Sequence, residues 1–261
     1  MKKGFLKKLF AAALLLGVTG AQAEDFRVDG ISYNILTEST VTVTWKLGAS
    51  VSSGIRIEGA GPGSFNDEHT GDVVVPSKVT YNGKTYTVTA IDDMAFKNCS
   101  KLASLTLPST IKSIGAMPFY NTPALEEVYI KDLSAWCKID FASSWSNPLL
   151  YAKKLYVKGK LVTDLVIPKD IKVIKHAAFA NGNFRSVTLH KNVESIETGA
   201  FFGCKFTSIV SKIPAHKLKP IYYVFDEGVD KEKCVLYVPK GAKETYASTE
   251  GWMEFKNIVE K

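Results

Sequence analysis

Apolar positions along this chain recur on a fixed frame. An alternating strand signal is followed seven residues later by an isoleucine, and five residues after that by a phenylalanine. Three copies are complete: Leu105-Thr106-Leu107, Ile114 and Phe119; Leu165-Val166-Ile167, Ile174 and Phe179; and Val187-Thr188-Leu189, Ile196 and Phe201. Ile91 and Phe96 form a truncated first copy. Further anchors keep the frame, with Leu102 and Leu125 six residues after their phenylalanines and Phe184 and Phe206 five after theirs.

Where the spacing is uninterrupted the period is 23 residues, from Phe96 to Phe119, or 22, from Phe179 to Phe201. That period lies in the range of leucine-rich repeats. One strand and one turn cannot bury their own apolar face, so the copies must stack. With strands about 4.8 Å apart, about eight of them predict one parallel sheet on the order of 35 Å long. The expected fold is an α/β-type leucine-rich-repeat solenoid, mainly β, its parallel strands joined by irregular or short helical turns. Phe96, Phe119, Phe179 and Phe201 are its expected structural core, each with an alanine cost of roughly 3 to 5 kcal/mol.

The flanks read differently. From Phe26 to about Leu47 apolar and polar residues alternate around Asp29-Gly30, the pattern of a small antiparallel hairpin. Gly59, Gly61, Pro62 and Gly63 punctuate a loop, and Val73-Val74-Val75-Pro76 opens the first repeat. A second hairpin is predicted at Tyr81-Asn82-Gly83-Lys84, with Asn-Gly between two β-rich runs. The frame breaks between Phe119 and Phe179, where Leu133 to Tyr151 inserts Trp136, Phe141 and Trp145. The expected organisation is a leader at 1–23, an N-terminal β-hairpin capping module at 24–72, a repeat region at 73–233 with an irregular insertion at 131–158, and a C-terminal cap at 234–261.

Composition alters this picture mainly at the N-terminus. The chain has 261 residues, 46% apolar and 23% charged, which excludes a disordered tail. Lys2, Lys3, Lys7 and Lys8 flank an apolar run from Leu9 to Val18, and Ala21-Gln22-Ala23 supplies a signal-peptidase site. Export is therefore expected, with cleavage after Ala23 and a secreted, periplasmic or cell-surface product. Removing the leader leaves 29 basic against 26 acidic residues, so a global nucleic-acid reading loses its support. No second apolar run of membrane-spanning length follows. Cys99 and Cys204 fall three residues after their phenylalanines and read as buried free thiols; a Cys204–Cys234 bridge is the alternative, and Cys137 is the fourth thiol.

Together these residues resemble a known family. The run Leu165-Val166-Ile167-Pro168, then Ile171, Ile174 and Ala178-Phe179, is similar to the BspA-like leucine-rich repeat of surface proteins from anaerobic bacteria. The insertion Leu133-Ser134-Ala135-Trp136-Cys137, Asn147-Pro148-Leu149 and Leu155-Tyr156-Val157 resembles that family's irregular repeat. Leu236-Tyr237-Val238-Pro239, Tyr246, Trp252, Phe255 and Ile258 resemble its terminal cap, and Gly30-Ile31-Ser32-Tyr33 its opening module. Two departures stand out, Met117-Pro118 before Phe119 and Phe202 after Phe201. The resemblance implies a solenoid, export, and adhesion to host or matrix proteins; it implies no particular ligand.

Function is then sought on residues the frame leaves outside. The middle residue of each strand faces out: Val74, Thr106, Tyr129, Tyr156, Val166, Thr188 and Tyr237. Tyr129 and Tyr156 belong to consecutive strand signals, a platform for sugar rings or a protein partner, while tyrosine is also simply favoured on exposed strands. Residues 151–192 hold nine lysines or arginines, among them Lys153, Lys154, Lys158 and Arg185, against Asp164 and Asp170. Such a ridge suits an anionic polysaccharide, and solvated variable positions explain it as well. The candidate ligand-binding residues are thus Tyr129, Tyr156, Tyr237, Lys153, Lys154, Lys158 and Arg185. His69, His176, His190 and His216 lack metal spacing, and the acidic cluster Asp67, Glu68 and Asp72 lacks that of a calcium loop. No catalytic motif, cofactor site or metal site is expected. Two readings follow: an adhesin-like module recognising a host or matrix protein, or a glycan binder in surface nutrient capture.

Overall fold

The computed structural model describes residues 24–45 and 69–261. The predicted leader, the glycine-rich loop, Leu47, Asp67 and Glu68 lie outside the described residues. The chain opens with a meander in which β1 (Phe26–Val28), β2 (Ile31–Ile35) and β3 (Thr40–Thr44) pair antiparallel in sequence. Asp29 and Gly30 join β1 to β2 with φ of 48° and 80°, the two-residue turn whose twist matches its strands. β4 (Gly71–Val74), β5 (Lys78–Tyr81) and β6 (Lys84–Ile91) follow. β5 and β6 form the hairpin predicted at Asn82-Gly83, where φ is 50° and 73°.

Later turns contribute a longer strand with the alternating signal and, as far as β16, a two-residue strand ending in the frame's isoleucine or its substitute. They run β7 (Leu102–Leu107), β8 (Ser113–Ile114), β9 (Glu127–Ile130) and, after helix α1 (Leu133–Cys137), β10 (Asp140–Phe141). Helix α2 (Leu149–Ala152) leads to β11 (Lys154–Val157), β12 (Lys160–Leu161), β13 (Asp164–Val166), β14 (Val173–Ile174), β15 (Ser186–Leu189) and β16 (Ser195–Ile196). β17 (Ser208–Ser211), β18 (Val235–Val238), α3 (Lys243–Ser248) and β19 (Asn257–Glu260) complete the chain. The inward residues of the longer strands, such as Leu105, Val128, Leu155, Leu165, Val187 and Ile209, are buried to 0% exposure, while their neighbours point away.

The longer strands form two sheets where the repeat frame predicts one. The first has the order β12-β11-β9-β7-β4 and the second β13-β15-β17-β18-β19. The interruption has a local cause. Lys158 and Gly159, with φ of 52° and 76°, reverse the chain after β11. β12 then pairs antiparallel with β11, Tyr156 opposite Leu161, on the edge that the next parallel strand would have used. The isoleucine strands show the same break, β8 and β10 continuing the sheet of β3 and β6 while β14 pairs with β16 alone.

The phenylalanines stack as the frame requires. Phe96 lies 5.6 Å from Phe119, Phe179 lies 5.6 Å from Phe201, and Phe201 lies 5.4 Å from Phe225, all nearly parallel. Phe225 is a further rung that strict counting of seven and five residues misses. Each rung sits between two left-handed residues. Two positions before it stand Met94, Met117, Ala177, Gly199 and Tyr223, and two after it Asn98, Asn121, Asn181, Gly203 and Glu227, all with φ between 47° and 72°. These paired reversals swing the ring into the stack. Asparagine and glycine tolerate the conformation at lowest cost, which explains their dominance after the ring.

Between Phe119 and Phe179 the insertion supplies other bridging groups. Phe141 pairs in register with Ile114 across β10 and β8, so this turn keeps the isoleucine position with a larger side chain. Trp136 is buried, lies 5.6 Å from Phe141, and donates its indole N–H to the Ala178 carbonyl at 2.9 Å. Asn147, fully buried, donates to the carbonyls of Ala177 and Ala178 at 2.7 and 3.0 Å. Its own carbonyl oxygen accepts from Leu149 N–H at 2.8 Å. All four cysteines are buried free thiols. Cys204 donates to the Phe179 carbonyl at 3.1 Å, and burial pushes its thiol up to about 12.

Candidate functional site

The alternation of the strands fixes what reaches solvent. In the first sheet the register aligns Val74, Thr106, Tyr129, Tyr156 and Leu161 in one outward row. Two positions earlier in each strand, Asp72, Ser104, Glu127 and Lys154 form a second row. Val74 is 62% exposed on the edge strand, whereas the tyrosines between two neighbours are half-buried.

Tyr129 and Tyr156 are brought together as their consecutive strands require. Their ring centroids are 4.6 Å apart and the planes differ by 18°. Glu127 clamps both: Tyr129 donates to one carboxylate oxygen at 2.5 Å and Tyr156 to the other at 3.0 Å. Lys154 lies 3.6 Å from the first of these acids and 3.4 Å from Glu126. Hydrogen bonding from Tyr129 holds the Glu127 carboxyl below its usual range, and the same bond holds the Tyr129 hydroxyl up at about 12. Asp72 accepts from Ser104 at 2.7 Å, so the one described member of the acidic cluster is engaged within the sheet. Glu127 escaped sequence reasoning, although an acid two residues before an outward tyrosine on a strand shares its face.

Tyr237 is not part of this cluster. It belongs to the second sheet, in the outward row Val166, Thr188, Val210, Tyr237 and Val259. The Lys261 ammonium sits 3.4 Å from the centre of its ring, a cation–π contact. The row borders a groove of about 550 Å³ at the ends of the parallel strands, with Lys169, Lys191 and Lys212 around it.

The basic ridge counted along residues 151–192 is partly paired by stacking, because neighbouring turns supply acids, several of which the linear count omits. Arg185 binds Asp164 with two bonds of 3.0 and 2.5 Å and holds that carboxyl at about 2. Lys172 pairs with Glu194 at 3.0 Å, Lys175 with Asp140, and Lys138 from the insertion pairs with Asp170 at 2.8 Å. Lys153 and Lys158 are exposed on left-handed turns at the two ends of β11, with φ of 62° and 52°. Trp145, Tyr222 and Tyr223, none of them expected at the surface, are 54%, 52% and 72% exposed.

Among the described residues no group of three or more His, Cys, Asp or Glu could hold a metal ion, and no helix is long and apolar enough to cross a membrane. His176 is held by its ring Nδ1 at 2.7 Å from the Thr198 carbonyl oxygen.

Comparison with known proteins adds the following. The profile described as BspA type leucine rich repeat region matches residues 61–144 and 152–227 with six copies. No curated protein matches. Among solved structures, a leucine rich cell surface protein from Faecalibacterium prausnitzii is 18% identical, over 93% of this chain and 56% of that protein, with a TM-score of 0.45. This chain therefore spans little more than half the length of that protein. A leucine-rich repeat protein from T. pallidum is 18% identical over 82% of this chain and 81% of its own, with a TM-score of 0.44. One from Bacteroides ovatus is 18% identical over 91% and 76%, with a TM-score of 0.33.

Proposed function

Because this chain belongs to the BspA-type leucine-rich-repeat family, a family of non-catalytic binding modules, we propose that it is an exported, adhesin-like module that recognises a host or matrix protein. The binding surface is the outward face of its first sheet. The observation that carries this reading is the Tyr129–Tyr156 pair held on Glu127. Each ring covers one face of the other, and both hydroxyls are spent on the carboxylate. That arrangement offers a sugar little free ring face. It offers a protein a rigid aromatic anchor at low entropic cost, the character of an interface hot spot.

Export rests on the leader at residues 1–23 with cleavage after Ala23, and residues 24–72 and 234–261 serve as caps on the stack. N-terminal sequencing of the exported protein is expected to begin at Glu24, and proteolysis of intact cells to remove the protein from their surface. Binding is tested on immobilised extracellular-matrix proteins, comparing the wild type with Tyr129→Ala/Tyr156→Ala. Loss of two hot-spot rings predicts at least a roughly tenfold weaker interaction with an unchanged melting temperature. Undiminished binding by the double variant would remove this face from the interaction. A complete lack of surface exposure would remove the host-directed role.

A further inference from the structure

We propose that the groove on the second sheet is a separate binding site for the acidic residues of a uronate-containing polysaccharide. It lies where β13, β15, β17, β18 and β19 deliver their C-terminal ends. Lys169, Lys191, Lys212 and Lys261 surround it, and no aspartate or glutamate is among its lining residues. None of these four lysines has an ion pair among the described residues, in contrast to Lys172, Lys175 and Arg185 on the neighbouring turns. Stacking pairs Lys154, Lys172, Lys175 and Arg185 of the ridge, and leaves the groove's lysines, like Lys153, Lys158 and Lys160 around β11, without an ion pair among the described residues.

His190 provides the second observation. The ring is 8% exposed and forms part of the groove wall. Its Nδ1 accepts from Asn192 N–H at 3.1 Å, which places the proton of the neutral ring on Nε2. That Nε2 is buried without a hydrogen-bond partner. A buried, unpaired donor costs free energy, which an anionic ligand would relieve only by displacing the groove wall enough to reach it.

The remaining lining selects among anions. Val210, Val238, Pro239 and the edge of Tyr237 give the groove an apolar floor beneath its cationic rim. A hexuronate ring matches both, with C–H groups on its faces and a carboxylate on its edge. The rim uses lysine throughout, with no arginine among the lining residues. Four separate ammonium groups suit well-hydrated charges repeated along a polymer, whereas one bidentate carboxylate or phosphate would call for a guanidinium fork. The volume suits a ligand of a few rings. This site stands on the opposite sheet from the tyrosine pair and does not depend on the protein-binding role assigned there.

Titration calorimetry of the exported protein with a short oligogalacturonate tests the assignment. The wild type is expected to bind, with an affinity that falls steeply as salt rises. Lys191→Gln/Lys212→Gln is expected to bind about tenfold more weakly and with a shallower salt dependence. Lys172→Gln, which removes a paired lysine of the same ridge, is expected to bind like the wild type, as is Tyr129→Ala/Tyr156→Ala. Failure of the wild type to bind, or equal binding by the lysine double variant, would overturn the site. Equal binding of the methyl-esterified oligomer would overturn the role of charge. Tighter binding of poly-glutamate than of the oligogalacturonate would replace the saccharide with an acidic peptide.

Discussion

The two sheets share one interior and differ on the outside. In the first, β9 and β11 set Val128 beside Leu155; in the second, β15 and β17 set Val187 beside Ile209. All four are buried to the same degree. On the outward rows the same register places a tyrosine pair locked on Glu127 in one sheet and an open lysine-rimmed groove in the other. A repeat constrains the residues that touch the next copy, because a change there opens a cavity or a clash in a close-packed column. It leaves the outer residues free to diverge, so one stack presents two unlike surfaces. The difference also depends on the insertion, which ends the first sheet at β12 and lets the second begin afresh.

The strongest way to break the comparison is to cut the joint. Trp136 is the largest buried side chain of the insertion, and its indole reaches across to the Ala178 carbonyl beside the ring of the next half. Trp136→Ala is expected to cost about 4 kcal/mol, combining the lost ring with the loss of one of the two hydrogen bonds that the Ala178 carbonyl accepts. Because the loss falls between the halves, calorimetry is expected to resolve two transitions where the wild type has one. A single transition with a shift of under about 1 kcal/mol would mean that the halves are joined elsewhere.

Within one half the effect is expected to be comparable but cooperative. Phe201 is stacked on Phe179 on one side and Phe225 on the other, and meets Phe206 edge-on at 5.6 Å. Phe201→Ala is expected to cost roughly 3 to 5 kcal/mol in denaturant titration, in a single transition. Phe96 has a phenylalanine rung on one side only, Phe119, so Phe96→Ala is expected to cost less than Phe201→Ala. Equal losses at the two positions would contradict the view of the column as a sum of neighbour contacts.

Much of this interior was legible in the residue pattern, and little of the exterior was. Phe96, Phe119, Phe179 and Phe201 could be placed because core positions recur at the period of the backbone. Phe225 escaped for a physical reason: its copy carries Ser211 where the others carry an apolar third strand residue, and its isoleucine, Ile221, stands four residues before the ring. The tyrosine pair was readable from adjacent strand signals, but its Glu127 clamp required the hydrogen bonds. The basic ridge was legible as a count and not as a surface, because linear counting ignores acids such as Glu194 and Asp140 that stacking brings alongside some of its lysines. Of the groove, Tyr237 was readable as an outward strand residue, and Lys169 and Lys191 belong to the basic ridge and stand one period of 22 residues apart. Lys261 enters through the last strand.

The tyrosine face sharpens the comparison through pH. Glu127 has a depressed folded value, so its clamp stabilises the face above the ordinary carboxylate range and is lost as pH falls through that depressed value. Tyr129 moves the opposite way, its proton held up to about 12 by the same bond. Ultraviolet titration of Glu127→Gln is expected to return both Tyr129 and Tyr156 toward the ordinary value near 10. An unchanged tyrosine profile would mean that the clamp does not persist in solution.

The smallest expected effect concerns the turns that both halves share. After each ring the chain adopts a left-handed residue, and in the second half this position reads Asn181, Gly203 and Glu227. Gly203 takes its φ of 72° without a side-chain penalty, whereas Glu227 holds 63° with an exposed side chain that packs on nothing needed by the core. A left-handed residue with a Cβ costs roughly 1 to 2 kcal/mol, partly offset in glycine by the greater freedom of its unfolded chain. Glu227→Gly is therefore expected to raise stability by about 0.5 to 1 kcal/mol, and Gly203→Glu to lower it by more, because a Cβ there meets Asn181 Oδ1 at 2.3 Å. Denaturant midpoints of the two variants, measured together, check the sign of each. A loss of stability in Glu227→Gly would show that this turn is held by the glutamate side chain and that the shared backbone reversal is not what distinguishes its residues.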